Sequence, residues 1–203
     1  MYGPVGAHRT SRELINFARM LSKKKHSLQS RQSGRPSRLL LTWAYKLVGS
    51  QPTLDAGSGS GRNALALVRL GAKVVCVDKD WRRLGELSAS ALQSSLSDRI
   101  STVQADVSAS RWPFAEGAFG GIICIHFLDI GLLPLMHQSL QTGGHLYIET
   151  VGGQGQNHLE LPPAGALRSL LAPHFHLDFY KERRVGPPAA GKCAVKLLAR
   201  KTD

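Results

Sequence analysis

Residues 53–63 read Thr-Leu-Asp-Ala-Gly-Ser-Gly-Ser-Gly-Arg-Asn, and this stretch decides the fold of the chain. The pattern predicts a short buried strand, a glycine turn and the start of a helix. Glycine at positions 57, 59 and 61 lets the backbone take positive φ and lets a ligand come close to it. Apolar residues then recur at helical spacing as far as Leu70, and Gly71 ends the helix.

A second strand is predicted over residues 73–77, and Asp78 stands at its tip. The two strands and the helix make a β-α-β unit, a layout that two nucleotide chemistries use. The dinucleotide pattern G-x-G-x-x-G would need a third glycine at position 62, where the chain has Arg62. Asp55, in front of the turn, repels a pyrophosphate but suits a cationic ligand. Both observations argue against a nicotinamide oxidoreductase.

The Asp-x-Gly-x-Gly-x-Gly spacing resembles motif I of the class I S-adenosylmethionine-dependent methyltransferases. The resemblance implies S-adenosyl-L-methionine as cofactor, with Asp78 on its ribose hydroxyls and Asp106, followed by Val107, at its adenine amino group. Two alternatives stay open: an ordinary α/β turn with a surface aspartate at position 78, and a loop aspartate capping a turn at position 106. The predicted cofactor-binding residues are Asp55, Gly57, Ser58, Gly59, Gly61, Asp78, Lys79, Asp106, Val107 and Cys124.

The resemblance extends over about residues 37–200. Helices are predicted over 37–48, 81–96, 130–141 and 164–171, and strands over 100–105, 121–126, 145–150, 176–182 and 192–200. Residues 112–120 resemble the family's loop before strand four, although Gly120 stands where the family commonly has aspartate. The predicted fold class is α/β, a Rossmann-like class I methyltransferase fold. It has a mostly parallel seven-stranded sheet with an antiparallel last strand and helices on both faces.

His126, at the predicted carboxyl end of strand four, is the candidate catalytic residue. It is either a general base or a satisfied histidine at the strand edge. Glu149, Asn157 and His158, near the end of strand five, are further candidates. The long loop 151–163 that carries two of them is of a length often used for function. No Asn/Asp-Pro-Pro-Tyr/Phe motif follows strand four, which argues against the amino-methylating enzymes of adenine or glutamine.

The composition of the 203-residue chain, 42% hydrophobic and 20% charged, is that of a globular protein. No apolar run reaches membrane-spanning length, so no membrane partner is expected. The three cysteines, Cys76, Cys124 and Cys193, lie in apolar strand-like runs and indicate buried reduced thiols. Neither they nor the eight scattered histidines show metal-ligand spacing, so no metal site is predicted.

Most of the net charge of +12 lies near the amino terminus, where residues 1–38 hold nine lysines and arginines against one acid. We divide the chain into a basic N-terminal extension, 1–36, and a methyltransferase domain, 37–203. A short amphipathic helix is predicted from Ser11. The basic residues 9–38 form a solvated tail, an electrostatic contact to RNA, or an organelle transit peptide. The predicted location is cytoplasmic, or an organelle matrix if the arm is a transit peptide.

The predicted function is methyl transfer from S-adenosylmethionine to an acceptor that is either a small molecule or RNA. The run Gly61-Arg62-Asn63 and the pair Glu149-Thr150 are similar to those of small methyltransferases of the tellurite-resistance-like group. That group acts on diverse small acceptors, whereas the basic arm favours RNA. The alternative is a non-catalytic assembly protein that binds the cofactor or RNA. The sequence does not specify the oligomeric state.

Overall fold

The computed structural model describes residues 34–107, 112–150, 161–186, 189 and 191–203. The helix predicted from Ser11 and the basic arm up to residue 33 lie outside the described residues. So do residues 151–160 of the predicted loop, with Asn157 and His158. In the part of the chain that is described, no helix is long and apolar enough to span a membrane.

Seven strands form one sheet in the order β3-β2-β1-β4-β5-β7-β6. Their bounds are β1 Thr53–Ala56, β2 Val74–Asp78, β3 Ile100–Gln104, β4 Phe119–Ile125, β5 Leu140–Glu149, β6 Phe175–Arg184 and β7 Cys193–Lys201. β1 pairs in parallel with β2 and β4, whereas β7 runs antiparallel to both β5 and β6. The predicted mostly parallel seven-stranded sheet with an antiparallel last strand is confirmed.

The described residues form five α-helices, which cover both faces of the sheet. They are α1 Arg38–Leu47, α2 Arg62–Arg69, α3 Trp81–Gln93, α4 Leu133–Ser139 and α5 Ala166–Leu171. Residues of α1, α2 and α3 pack on one face, around Leu40, Leu67 and Leu87. Residues of α4 and α5 pack on the other face, around Met136 and Leu167. Helices on both faces agree with the fold class that the resemblance implies.

The central strands are buried on both faces, so their sequences are almost continuously apolar. β1 is buried at all four positions, and its one hydroxyl, Thr53 Oγ1, donates to the Leu47 carbonyl at 2.6 Å. All three cysteines are free and buried, Cys76 in β2, Cys124 in β4 and Cys193 in β7. This placement agrees with the prediction of buried reduced thiols.

The predicted helix over 130–141 and strand from His145 have different bounds in the structure. A 3-10 turn occupies Ile130–Leu132, α4 ends at Ser139, and β5 already begins at Leu140. Leu140 pairs with Phe119, and the register then shifts between Phe119 and Gly121. The pair Gly143-Gly144 lies within this irregular start of β5. The backbone at Gly143 is left-handed, with φ of 78°. Two adjacent glycines therefore mark an irregular start of the strand, and regular pairing with β4 resumes at His145.

Candidate functional site

The glycine turn joins β1 to α2 at the carboxyl end of the sheet. Gly57, Gly59 and Gly61 have φ of 70°, 56° and 75°, as their spacing predicts. The amides of Gly57 and Ser58 both donate to the Val77 carbonyl, at 2.9 and 3.0 Å, so the turn is tied to the tip of β2. A Cβ at position 61 would lie 2.2 Å from Leu87 Cδ1. Glycine at this position therefore lets α3 pack against the turn.

The carboxylate of Asp78, the last residue of β2, forms hydrogen bonds both to the glycine turn and to the residue that caps the next helix. One carboxylate oxygen accepts from the Gly59 amide at 2.7 Å, and the other accepts from the Asp80 amide at 2.9 Å. Asp80 in turn caps α3 by accepting from the Arg82 amide at 2.9 Å. The carboxylate thus stands beside the turn, as the sequence predicts. Because a carboxylate has about four lone-pair positions, two hydroxyl donors can still be accommodated.

A cleft opens between the ends of β1, β2 and β4. It is lined by Gly57, Asp78, Lys79, Arg83, Ala105, Asp106, Val107, His126 and Phe127. Six of the predicted residues are therefore brought together in one lining. The other predicted cofactor-binding residues, in the turn and the strands, are outside this lining: Asp55, Ser58, Gly59, Gly61 and Cys124.

Arg83 and Phe127 line the cleft although no sequence pattern marked them. Phe127 packs directly on the turn, since a Cβ at Gly57 would lie 2.8 Å from Phe127 Cγ. Arg83 lies in the first turn of α3, with its guanidinium 3.8 Å from the position of a Cβ at Gly59. The sequence could have predicted that Arg83 lies near the turn, because Arg83 follows Asp78 by five residues and stands at the start of a predicted helix.

Asp55 is buried beneath the turn, with 2% of its surface exposed. Burial raises the pKa of Asp55 to about 7, although the Ala64 amide and the Arg62 guanidinium favour the ionised form. Asp55 Oδ2 and Ser58 Oγ are buried and find no hydrogen-bond partner among the described residues. Such groups are rare in folded proteins. Both belong to the wall of the turn, so a donor supplied by a ligand would complete their hydrogen bonding.

Cys124 is fully buried in β4, and its thiol donates to the Phe127 carbonyl. Burial raises the pKa of Cys124 well above its usual range. The thiol therefore stays protonated and is not a nucleophile. Its place in the site is to hold the turn after β4, so a direct contact between its sulfur and the cofactor is not supported by the geometry.

His126 begins the loop after β4 and lines the cleft in a left-handed conformation, with φ of 61°. Its amide donates to the Glu149 carbonyl at 2.7 Å, which helps to hold this unusual backbone in place. His126 Nδ1 lies 3.0 Å from Arg62 Nη2. A guanidinium only donates, so Nδ1 is the acceptor and Nε2 carries the proton. Burial, followed by the charge of Arg62, lowers the pKa of His126 and keeps the ring neutral.

This arrangement bears on the two interpretations of His126. A neutral ring whose one free lone pair faces Arg62 can donate a hydrogen bond but cannot accept a proton at Nε2. The geometry therefore supports a hydrogen-bond donor at the cleft, and it favours the satisfied histidine over the general base.

Glu149, another predicted candidate, is buried at the end of β5, where it anchors the segment before α1. Its carboxylate accepts from the hydroxyls of Ser37 and Tyr147 and from Lys196 Nζ, the last at 2.9 Å. Burial raises the pKa of Glu149, but these three hydrogen bonds outweigh it, and the pKa lies below its ordinary value. An ionised carboxylate with three protein donors is a structural anchor rather than a proton acceptor.

The lining fits the cofactor that the resemblance implies. The glycine turn offers a backbone free of side chains, and Asp55 and Ser58 offer unpartnered oxygens near it. Adenosylmethionine carries an ammonium and a sulfonium, which such acidic and polar oxygens favour. Asp78 and the Asp106-Val107 pair line the same cleft, where ribose and adenine would be held.

Comparisons with known proteins agree with this fit. Residues 53–144 match the family model described as "Methyltransferase domain". No curated protein sequence matches the chain. Geranyl diphosphate C-methyltransferase from Streptomyces coelicolor A3(2), solved with S-adenosyl-L-homocysteine, is 15% identical, with a TM-score of 0.64 over 81% of this chain and 78% of that one.

Two further solved structures share the fold. An S-adenosylmethionine-dependent methyltransferase from Mesorhizobium loti is 17% identical, with a TM-score of 0.56 over 76% of this chain and 93% of that one. The [4+2]-cyclase SpnF is 20% identical, with a TM-score of 0.64 over 95% and 92%. The match to the family model, the shared fold and the fit of the cleft to the cofactor lead to one conclusion. Residues 53–144 form a methyltransferase domain, and the described part of the chain has the fold of the class I S-adenosylmethionine-dependent methyltransferases, as its motif I predicts.

Proposed function

We propose that this enzyme methylates a small acceptor that brings its own lone pair, such as an anionic oxygen or sulfur or an unprotonated amine. The observation that carries the proposal is the hydrogen bond between Arg62 and His126 Nδ1, which leaves the described part of the cleft wall with a donor and no free histidine base. The acceptor would lie over His126 and Phe127, on the side of the cleft away from Asp78. The solved relative that methylates geranyl diphosphate supports a small acceptor for this fold.

The transfer itself needs no proton in this scheme. The acceptor lone pair attacks the methyl carbon in line, the bond from that carbon to the sulfonium sulfur breaks, and its electron pair stays on the sulfur. The products are the methylated acceptor and S-adenosylhomocysteine. The residues of the chain contribute position: the turn and Asp78 hold the cofactor, and the N–H of His126 orients the acceptor.

RNA is the second candidate acceptor. Lys79 and Arg83 line the cleft, and Trp81 between them is 63% exposed, with the Arg82 guanidinium 5.7 Å from its ring centre. Basic and aromatic side chains together suit phosphates and unstacked bases. The basic residues 9–38, most of which lie outside the described residues, favour the same acceptor.

The experiment transfers a labelled methyl group from the cofactor into a cell extract, which is then separated into RNA, protein and small molecules. Label in the small-molecule fraction supports the proposal, and label in RNA supports the second candidate. Cofactor binding without any label would contradict both.

The cofactor site is tested with Asp78→Ala and Asp78→Asn. Hydrogen bonds to a charged acceptor contribute about 1.5–3 kcal/mol each, so we expect cofactor affinity to fall at least roughly tenfold. Calorimetric titration with S-adenosylhomocysteine measures this affinity. The matched control is Asp98→Ala, because Asp98 is exposed in the 3-10 turn before β3. Thermal unfolding identifies any variant that fails through misfolding, and wild-type affinity in folded Asp78 variants would exclude the assigned role.

A further inference from the structure

Three potential metal ligands lie together at the edge of the sheet opposite the cofactor cleft. His137 is in the last turn of α4, His174 immediately precedes β6, and Asp203 follows β7. They meet because β7 is antiparallel: its last residue, Lys201, pairs with the first residue of β6, Phe175.

The distances between these side chains suit a shared cation. His137 Nε2 lies 3.3 Å from Asp203 Oδ1, and His174 Nδ1 lies 3.2 Å from Asp203 Oδ2. One ligand atom from each residue lies within 4.8 Å of the others. In a tetrahedral zinc site with bonds of about 2.0–2.1 Å, neighbouring ligand atoms are roughly 3.3–3.4 Å apart. The two nitrogen-to-oxygen separations are already close to that spacing.

A second group of two histidines and an aspartate, around Asp178, differs from this one in having a lysine beside the carboxylate. At Asp178, His145 and His176 approach the carboxylate to 3.5 and 3.7 Å, but Lys46 Nζ is closer, at 2.8 Å. A lysine ammonium thus supplies the positive charge in that group.

Asp203 has no such ammonium. In the described parts of the chain its ion-pair partners are histidines alone, and they are charged only when protonated. The neighbouring Lys201 directs its ammonium to the carbonyls of His137 and Leu140, at 2.9 Å each. Among the described residues, the carboxylate of Asp203 therefore has no permanent positive charge paired with it, and a metal ion could take the place that Lys46 takes beside Asp178.

We propose that His137, His174 and Asp203 bind a divalent transition-metal ion, with zinc as the best match. Two imidazoles and a carboxylate are ligands that suit zinc and its neighbours in the first transition row, and a water would complete four-coordination. The side chains are 24%, 53% and 60% exposed, so an ion can reach them from solvent. A bound ion would tie α4, β6 and the end of β7 to one another. The site is distant from the methyl-transfer chemistry and does not depend on it.

The test uses the full chain without an affinity tag, treated with a chelator and then titrated with Zn²⁺ by calorimetry. We expect one site with a dissociation constant in the micromolar range and a rise in melting temperature of a few degrees at saturating zinc. Co²⁺ in place of zinc should give the visible absorption of a tetrahedral site.

Two histidine variants separate this site from ordinary surface binding. His174→Ala should weaken zinc binding at least tenfold and remove the zinc-dependent rise in melting temperature. The backbone carbonyl of His174, which accepts from Thr202, is kept in this variant. The matched control is His176→Ala: His176 is similarly exposed and also faces an aspartate, and its loss should leave zinc binding unchanged. Equal binding by the two variants, or no binding to the wild-type protein, would overturn the proposal.

Discussion

A single buried carboxylate, that of Asp55, links the cofactor site to pH. Its pKa is raised to about 7 by burial, so it is partly protonated in the free enzyme at neutral pH. A cofactor with a sulfonium and an ammonium near it favours the ionised form. Binding must then release a proton wherever Asp55 is still protonated, and this release costs affinity at low pH.

We therefore expect cofactor affinity to increase as the pH rises from about 6 to about 8. Calorimetry at several pH values, in buffers of different ionisation enthalpy, measures both the affinity and the proton release. Asp55→Asn is the matched control, because its amide does not titrate while the amino group of the cofactor still does. An identical pH profile for the two proteins would show that Asp55 is not the group that is titrated.

The glycine turn can be tested as an element, since its glycines have different surroundings. Gly61 has positive φ and Leu87 against it, whereas Gly143 has nearly the same φ, 78°, with no atom within 4 Å of an added Cβ. Gly143→Ala should cost roughly 1 kcal/mol for the backbone conformation alone. Gly61→Ala adds the overlap with Leu87, so we expect a total loss of roughly 2–4 kcal/mol. Urea unfolding measures both, and equal losses would contradict the close packing of α3 on the turn.

One hydroxyl both caps α1 and connects its start to the sheet. Ser37 Oγ accepts from the Leu40 amide as the helix cap and donates to the carboxylate of Glu149. Ser37→Ala should lower the free energy of unfolding by about 1–3 kcal/mol. Because the pKa of Glu149 is lowered, its stabilising contribution is present above its unfolded-state pKa and is lost as the pH falls through the lower, folded-state value.

The difference between Ser37→Ala and the wild type should consequently shrink in acid, and denaturant unfolding at pH 7 and at about pH 3 measures this change. Thr42→Ala is the control. Among the described residues, the hydroxyl of Thr42 donates only to the Arg38 carbonyl one turn earlier in the same helix, at 3.2 Å, and it is exposed. A pH-independent loss in the Ser37 variant would show that capping alone is responsible.

The elements that sequence predicted well are those whose signals are local. The three glycines, Asp55 and Asp78 lie within 24 positions of one another. The glycines have the positive φ that favours glycine, and the two acids stand at or near the ends of their strands, as predicted. Phe127 and the anchor between Ser37 and Glu149 were missed because they depend on tertiary contacts; the anchor joins residues 112 positions apart. The group formed by His137, His174 and Asp203 was also missed, because antiparallel β7 brings its members together across 66 positions.

At the scale of the whole molecule, the net charge of +12 makes a prediction about RNA. If the basic arm binds RNA, log affinity should fall linearly with log salt concentration. Removing residues 1–33 leaves Ser37 and its hydrogen bond to Glu149 in place, so the domain should stay folded. On a single strand, the slope should become shallower by about 0.7 for every phosphate that the arm had neutralised. Fluorescence anisotropy with a labelled single-stranded RNA measures the slope, and an affinity that neither salt nor truncation changes would exclude this role.

The three buried cysteines can report local opening of the sheet. Cys76, Cys124 and Cys193 lie in β2, β4 and β7, at the outer part, the centre and the far side of the sheet. Alkylating reagents need a thiolate that solvent can reach, and burial raises the pKa of Cys76 and of Cys124. Each sulfur is therefore labelled only when its own strand opens. Peptide mass spectrometry after brief alkylation would thus report which part of the sheet separates first, without any engineered probe.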